Sequence, residues 1–194
     1  MGTTTASRRD HLVDTALKLF CKNGFRATGI DTVLGESGVA KKTLYNHFKS
    51  KDELVIAALQ KRDEDFLSTI REVIARRTPE QEGDPRMAGV LAFFDGLHEW
   101  ITGEGFNGCT FINASAEYPR RDDPVHVACA NHKKLVLQLL QELLVDLKLP
   151  DPQLAARQVA LLADGAIVSA HTAGDRQAAL CAKQAARQLL ENWT

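Results

Sequence analysis

The run Gly38-Val-Ala-Lys-Lys-Thr-Leu-Tyr-Asn-His-Phe-Lys-Ser-Lys-Asp-Glu-Leu54 constrains this chain more than any other stretch. It predicts a short helix carrying Lys41, Lys42, Thr43, Tyr45, Asn46 and His47, then a Ser50 cap that opens a second helix. Leu44 and Phe48 are four residues apart, so they share a face and can grip an interior. The other face offers donors suited to phosphates and base edges, which is what a DNA recognition helix needs. The competing interpretation is a solvated basic helix, and the preceding sequence decides between them.

Ser7-Arg-Arg-Asp10 fits a capping side chain followed three residues later by a carboxylate. Leu12, Val13, Ala16, Leu17 and Phe20 then recur at helical spacing, and Asn23-Gly24 ends the helix. Thr28-Gly-Ile-Asp31 reads as a second cap, opening a short helix through Val33 and Leu34. Ser37-Gly38-Val39 reads as a tight turn. Two short helices joined by a glycine-containing turn form a helix-turn-helix. Ser50-Lys-Asp-Glu53 is a third capping box, opening a longer helix with Leu54, Ile56, Ala57, Ala58 and Leu59.

Residues 12–54 resemble the DNA-binding domain of TetR-type (tetracycline-repressor-like) transcriptional regulators. The resemblance is carried by Phe20, Gly24, Phe25, Thr28, Ile30, Val33, Gly38, Val39, Thr43, Leu44, Tyr45, Phe48, Lys51 and Leu54, in unbroken register. It implies that Thr28, Lys41, Tyr45, His47 and Lys51 contact phosphates, while Lys41, Lys42, Thr43 and Asn46 reach bases. Thr28 and Lys51 fall at helix N-termini, where backbone N–H groups also favour phosphate. Phe20, Leu44 and Phe48 would hold the helices together. Two positions depart from the family pattern: Ala40 stands where a Ser or Thr cap is common, and Lys42 where Gly is frequent. The implied division is a DNA-binding domain over 1–54 and an effector-binding and dimerisation domain over 55–194.

Charge agrees with that division. Residues 1–60 contain nine Lys/Arg against six Asp/Glu, a net of +3; residues 61–194 contain fifteen against nineteen, a net of −4. A near-neutral total hides a mildly basic head on an acidic body. Four scattered cysteines without a Cys-x-x-Cys read as reduced thiols. No apolar run reaches the roughly 18 residues of a membrane span, so a cytoplasmic protein is expected.

The rest of the chain reads as all-α, about nine helices in total. Asp84-Pro85, Asp123-Pro124 and Asp151-Pro152 each mark a helix start, because Asp caps and Pro suits the first turn. Helices are predicted from Ser50 to about 77 and over about 85–102, 109–118, 124–148, 152–173 and 175–192, the last capped by Asp175. Small residues (Ala155, Ala156, Ala163, Ala166, Ala170, Ala179, Ala182, Ala186) are set among branched ones in the last two. That permits close helix approach, either in a core or, as the resemblance implies, in a homodimer interface.

Gly103-Glu-Gly-Phe-Asn-Gly108 matches a dinucleotide-binding pattern by letter, but a helical segment precedes it, so a helix–helix loop is expected. Phe94, His98, Trp100, Phe111, Asn113 and His171 supply apolar walls with a few polar groups and form the candidate effector lining. His126 and His132 are six apart and do not share a helix face, so no metal site is expected, and no catalytic pairing or cofactor motif is recognisable. The resulting expectation is a homodimeric DNA-binding regulator, a repressor released from a pseudo-palindromic operator by a small molecule. Its rivals are the same head answering to a partner protein or cysteine oxidation, and an all-α enzyme or ligand carrier.

Overall fold

The computed structural model describes residues 5–193 and contains, among them, nine α-helices and no strand. They are α1 (Thr5–Asn23), α2 (Ile30–Ser37), α3 (Lys41–His47), α4 (Lys51–Arg77), α5 (Ala88–Thr102), α6 (Thr110–Glu117), α7 (Pro124–Leu144), α8 (Pro152–Ala173) and α9 (Ala178–Glu191). Two compact units arise from them. The first comprises residues 1–65 with 110–132, the second 66–109 with 133–194.

The first unit is built on a small apolar core. Leu12, Val13, Ala16 and Phe20 of α1 are buried, with Val33 of α2, Leu44 of α3, and Leu54, Val55 and Ala58 of α4. Phe20 and Phe25 stack with ring centroids 5.2 Å apart, closing the core beside the α1–α2 connection. The same unit takes in α6 and the start of α7, with Phe111, Ala114, Tyr118 and Val125 buried.

Helix ends follow local chemistry in most places. Asp84 accepts the Arg86 N–H at 2.9 Å, Asp123 that of Val125 at 2.9 Å, and Asp151 that of Leu154 at 2.9 Å. All three Asp-Pro pairs therefore open helical turns, the first of them a 3₁₀ turn, Pro85–Met87, leading into α5. The long α7 stops at Leu144 and finishes as a 3₁₀ turn, Val145–Leu147. Ser50 accepts the Glu53 N–H at 3.2 Å, and Glu53 accepts in return from the Lys49 N–H at 2.7 Å, a capping box whose return bond falls one residue before the cap.

Three expected caps differ. Ser7 falls within α1, and its side chain lies outside the described residues. Thr28 does not cap α2: Gly29 holds that position without a side-chain bond, because the Thr28 hydroxyl turns back to the Gly24 carbonyl at 2.7 Å. Asp175 accepts the Gln177 N–H at 2.9 Å and so holds a turn, which delays α9 to Ala178.

In the second unit α5, α8 and α9 pack together. The alanines predicted to permit close approach do so inside this unit: Ala155, Ala156, Ala163, Ala166, Ala179 and Ala186 are all buried within the single chain. A half-buried ammonium–carboxylate pair ties two of these helices, with Lys183 Nζ donating to Asp95 at 2.7 Å.

Candidate functional site: a nucleic-acid interface and an aromatic cluster

Helix α3 presents two faces, as its sequence requires. Leu44 and Phe48 are 0% and 3% exposed, whereas Tyr45 is 47% exposed. Lys41, Lys42 and Asn46 are exposed and Thr43 is half-buried. Ala40 is the N-cap and offers no side-chain acceptor, which leaves the helix start less stable than a Ser or Thr would by about 0.5–2 kcal/mol. Gly38 turns α2 into α3 in the left-handed region, at φ 64°.

The other residues assigned to DNA are placed differently. Thr28 is 2% exposed and its hydroxyl hydrogen is spent on backbone carbonyls, so its side chain braces the α1–α2 connection. Lys51 donates to the Arg26 carbonyl at 3.0 Å. Burial lowers its pKa below the ordinary lysine range, while Asp52 and Glu117 pull it back up. Lys41 forms an ion pair with Asp31 at 3.4 Å, both side chains largely exposed, an arrangement that contributes little and exchanges readily for a phosphate. His47 is half-buried, and its Nε2 is buried without a partner.

A residue that the sequence marks only as a polar neighbour of the aromatic cluster organises this head. Glu117, at the end of α6, accepts the Phe25 N–H at 2.9 Å and the Arg26 N–H at 2.6 Å, one on each carboxylate oxygen. Gly24 makes room for it. A Cβ there would lie 3.2 Å from Glu117 Oε1, and the backbone at φ 90° disfavours any side chain. Beside it, the Tyr118 hydroxyl donates to Asp52 Oδ1 at 3.1 Å while Arg26 lies over the Tyr118 ring. Burial, reinforced by the Asp52 charge, pushes the phenol well above its usual pKa, so it remains a donor. Sequence separations of 91 and 92 residues hide the Glu117 contacts from any local pattern.

The candidate effector lining is divided between the units. Phe94, His98, Trp100 and His171 belong to the second; Phe111 and Asn113 belong to the first. Trp100 meets Phe106 edge-on at 5.1 Å, and Phe106 meets His171 at 6.3 Å. Phe66 adds a further edge-on contact to Trp100 at 6.2 Å. Phe94 is fully buried beside Phe93, and His98 keeps an unpartnered, buried Nδ1. Gly108 closes the loop that resembled a nucleotide motif: its φ is 75° and a Cβ would sit 2.7 Å from the His171 ring. In the first unit Phe111 stacks on His132 at 3.6 Å, and His132 Nδ1 bonds Asp63 at 2.7 Å. His126 Nδ1 is held instead by the Tyr118 carbonyl at 2.8 Å, so the two histidines serve separate contacts.

The sequence profile described as bacterial regulatory proteins, tetR family, matches residues 12–58, the span of this head. The solved structure of SCO4454, a TetR-family transcriptional regulator from Streptomyces coelicolor, superposes with a TM-score of 0.82 at 30% identity. The match covers 96% of this chain and 95% of that one. The chain belongs to the TetR family of transcriptional regulators.

Two curated relatives extend the comparison. The HTH-type transcriptional regulator YjdC of Escherichia coli K12 is 26% identical over 160 residues, 82% of this chain and 81% of that one. The HTH-type transcriptional activator FasR of Mycolicibacterium smegmatis is 38% identical over 88 residues. That match spans 45% of this chain and 39% of FasR. This TetR-family protein is therefore a DNA-binding transcriptional regulator with a helix-turn-helix head. Among the described residues, no helix is long and apolar enough to cross a membrane.

Glu117→Ala tests the organisation of this TetR-type head. It removes the charged acceptor of two backbone N–H groups, and stability should fall by about 2 kcal/mol in urea denaturation. Unchanged stability would mean that water satisfies both amides and that the carboxylate is dispensable.

Proposed function

We propose that this TetR-family regulator is a cytoplasmic homodimer that binds a pseudo-palindromic operator. It acts as a repressor, and a moderately apolar small molecule releases it. The observation that carries the DNA-contact assignment is the exposure of Tyr45 between the buried anchors Leu44 and Phe48. An aromatic residue left about half exposed on the face that carries Lys41, Lys42 and Asn46 offers a hydroxyl that suits a phosphate. Lys51, His47 and Thr43 complete the contact surface, and Thr28 acts on it by bracing the turn.

Support for the dimer comes from α8. Leu154, Leu161 and Val168 are 40%, 71% and 42% exposed at seven-residue spacing, an apolar stripe left over after the alanines are buried inside the unit. A second copy covers such a stripe by twofold symmetry. In a dimer the two recognition helices must enter major grooves about 34–36 Å apart or a multiple of this. A ligand releases DNA to the extent that it binds a differently spaced state more tightly. The aromatic edges of Trp100 and Phe106, with His171 and His98 nearby, favour an apolar, partly aromatic effector over a sugar phosphate.

Tyr45→Ala should lower operator affinity at least tenfold, roughly 1.4 kcal/mol. Its circular dichroism and melting temperature should stay near wild type, as expected of an exposed site. A variant that unfolds would show that the ring packs after all. For the dimer, Leu161→Arg should yield monomer by light scattering. A dimer of unaltered mass would remove the α8 stripe from the interface. For the effector, Trp100 fluorescence should change saturably with a compound that also raises the melting temperature, since a ligand at a hundred times its Kd adds about 2.7 kcal/mol. Release of DNA by compounds that leave Trp100 silent would place the effector elsewhere.

A further inference from the structure

We propose that a cleft beside the recognition helix seats a backbone phosphate of the DNA duplex, which makes Arg8 a DNA contact outside the helix-turn-helix. The inference rests on α3 facing DNA. The cleft has a volume of about 630 Å³ and is lined by Arg8 and His11 of α1, Ser37, Gly38, Val39 and Ala40 of the α2–α3 turn, and Thr43 of α3. Thr43 stands on the helix assigned to bases, so whatever occupies the cleft is within reach of the same duplex.

The lining is selective in its chemistry. It holds a guanidinium, an imidazole and two hydroxyls, and no carboxylate. Ser37 spends its hydroxyl hydrogen on the Leu34 carbonyl and His11 Nε2 faces the Ser37 carbonyl, so Arg8 is the group of this lining that meets an anion, and no carboxylate in the lining opposes it. The arginine fork matches phosphate oxygens in pairs, with a charge that persists at any physiological pH.

Two consecutive arginines have different roles here. Arg9 lies over the Phe48 ring at 5.4 Å, with only a weak, exposed pair to Asp10 at 3.7 Å beside it, so the ring contact is what holds it to the protein. Arg8 is exposed and makes no hydrogen bond or ion pair among the described residues. Among the described residues it therefore has no bond to break before meeting a phosphate. His11 holds the opposite wall in place. Its Nε2 lies 3.0 Å from the Ser37 carbonyl, which can only accept, so the imidazole donates and pins the turn to α1. That bond fixes the width of the cleft at the entrance to the recognition helix.

The test uses the full chain, an operator duplex selected from a random-sequence pool, and a random duplex, with affinity measured across salt concentration. Arg8→Ala should weaken binding to both duplexes and lower the log–log salt slope by about 0.9, the signature of one lost phosphate. Arg8→Lys should restore most of the slope, because charge is what a phosphate reads. Several results overturn the proposal. If Arg8→Ala leaves slope and affinity unchanged while wild type binds DNA, the cleft is not a contact and the DNA-binding assignment stands. If the loss is confined to the operator and Lys does not restore it, Arg8 reads a base. If inorganic phosphate stabilises wild type against heat while the DNA slope is unmoved by Arg8→Ala, the cleft serves a free anion. Failure of the wild-type chain to bind either duplex would sink both the proposal and the reading beneath it.

Discussion

The recognition helix α3 has seven residues, and helices well under a dozen residues are unstable in water on their own. Its geometry is therefore borrowed. Leu44 and Phe48 supply the anchorage by entering the apolar core of the first unit, where their burial is worth about 1.5–3 kcal/mol each. Missing a capping side chain at Ala40, the helix depends on that anchorage more than most. It also depends on the left-handed Gly38, which sets the angle at which α3 leaves α2. Every α3 residue assigned to DNA inherits its position from these few contacts. The same anchoring dictates which side chains remain outside, because a helix of about two turns lying on the core on one face leaves its other face to solvent.

Glu117 adds a second constraint of a different kind. A carboxylate that accepts two successive backbone N–H groups fixes the Phe25–Arg26 turn in one conformation, and such charge-assisted bonds are about twice as strong as neutral ones. The turn it holds also carries the Arg26 carbonyl, which receives Lys51, and the Gly24 carbonyl, which receives Thr28. Two of the eight residues assigned to DNA are thus tied to a short peptide segment whose geometry is set from α6. The Tyr118–Asp52 bond repeats the arrangement one residue later, joining the end of α6 to the start of α4. A change in the position of α6 therefore reaches the DNA-facing residues through hydrogen bonds instead of through loose packing.

The sequence showed clearly whatever local chemistry decides. The Ser50–Glu53 box, three Asp-Pro starts, the glycine turn and the Leu44/Phe48 spacing all act within a few residues, and each is realised. Thr28 shows where such inference stops. As a cap-former it was indistinguishable from Ser50, but it faces a carbonyl exposed by Gly24 four residues earlier, and burial at 2% makes that bond the better one. Asp175 was similarly ambiguous between holding a turn and starting a helix. The alanines of α8 and α9 were open to two interpretations because small residues suit any close approach, inside one chain or between two. Distant pairs were not visible at all: nothing local to Glu117 marks it as the acceptor for residues 25 and 26. The candidate effector residues were chosen for apolar spacing, and spacing cannot say that Phe111 and Asn113 belong to one compact unit and Phe94 and Trp100 to the other.

Electrostatics around the head suggests how specificity and affinity are apportioned. The basic groups there are of three kinds. Lys51 is engaged inside the protein, Arg9 and Lys41 are in weak exposed pairs, with Arg9 also over the Phe48 ring, and Arg8 and Lys42 are exposed. A net of only +3 over the first 60 residues gives modest non-specific attraction, since the sequence-independent part of affinity grows with the number of neutralised phosphates. Such a head cannot rely on charge alone to hold a duplex at physiological salt. Two copies in fixed register double the phosphate contacts on one duplex without raising the charge of either chain, and the second copy binds as an intramolecular event. In the proposed dimer, weak individual attraction is therefore compatible with tight operator binding only while the spacing of the two heads matches the groove. That dependence makes the spacing the quantity most worth regulating.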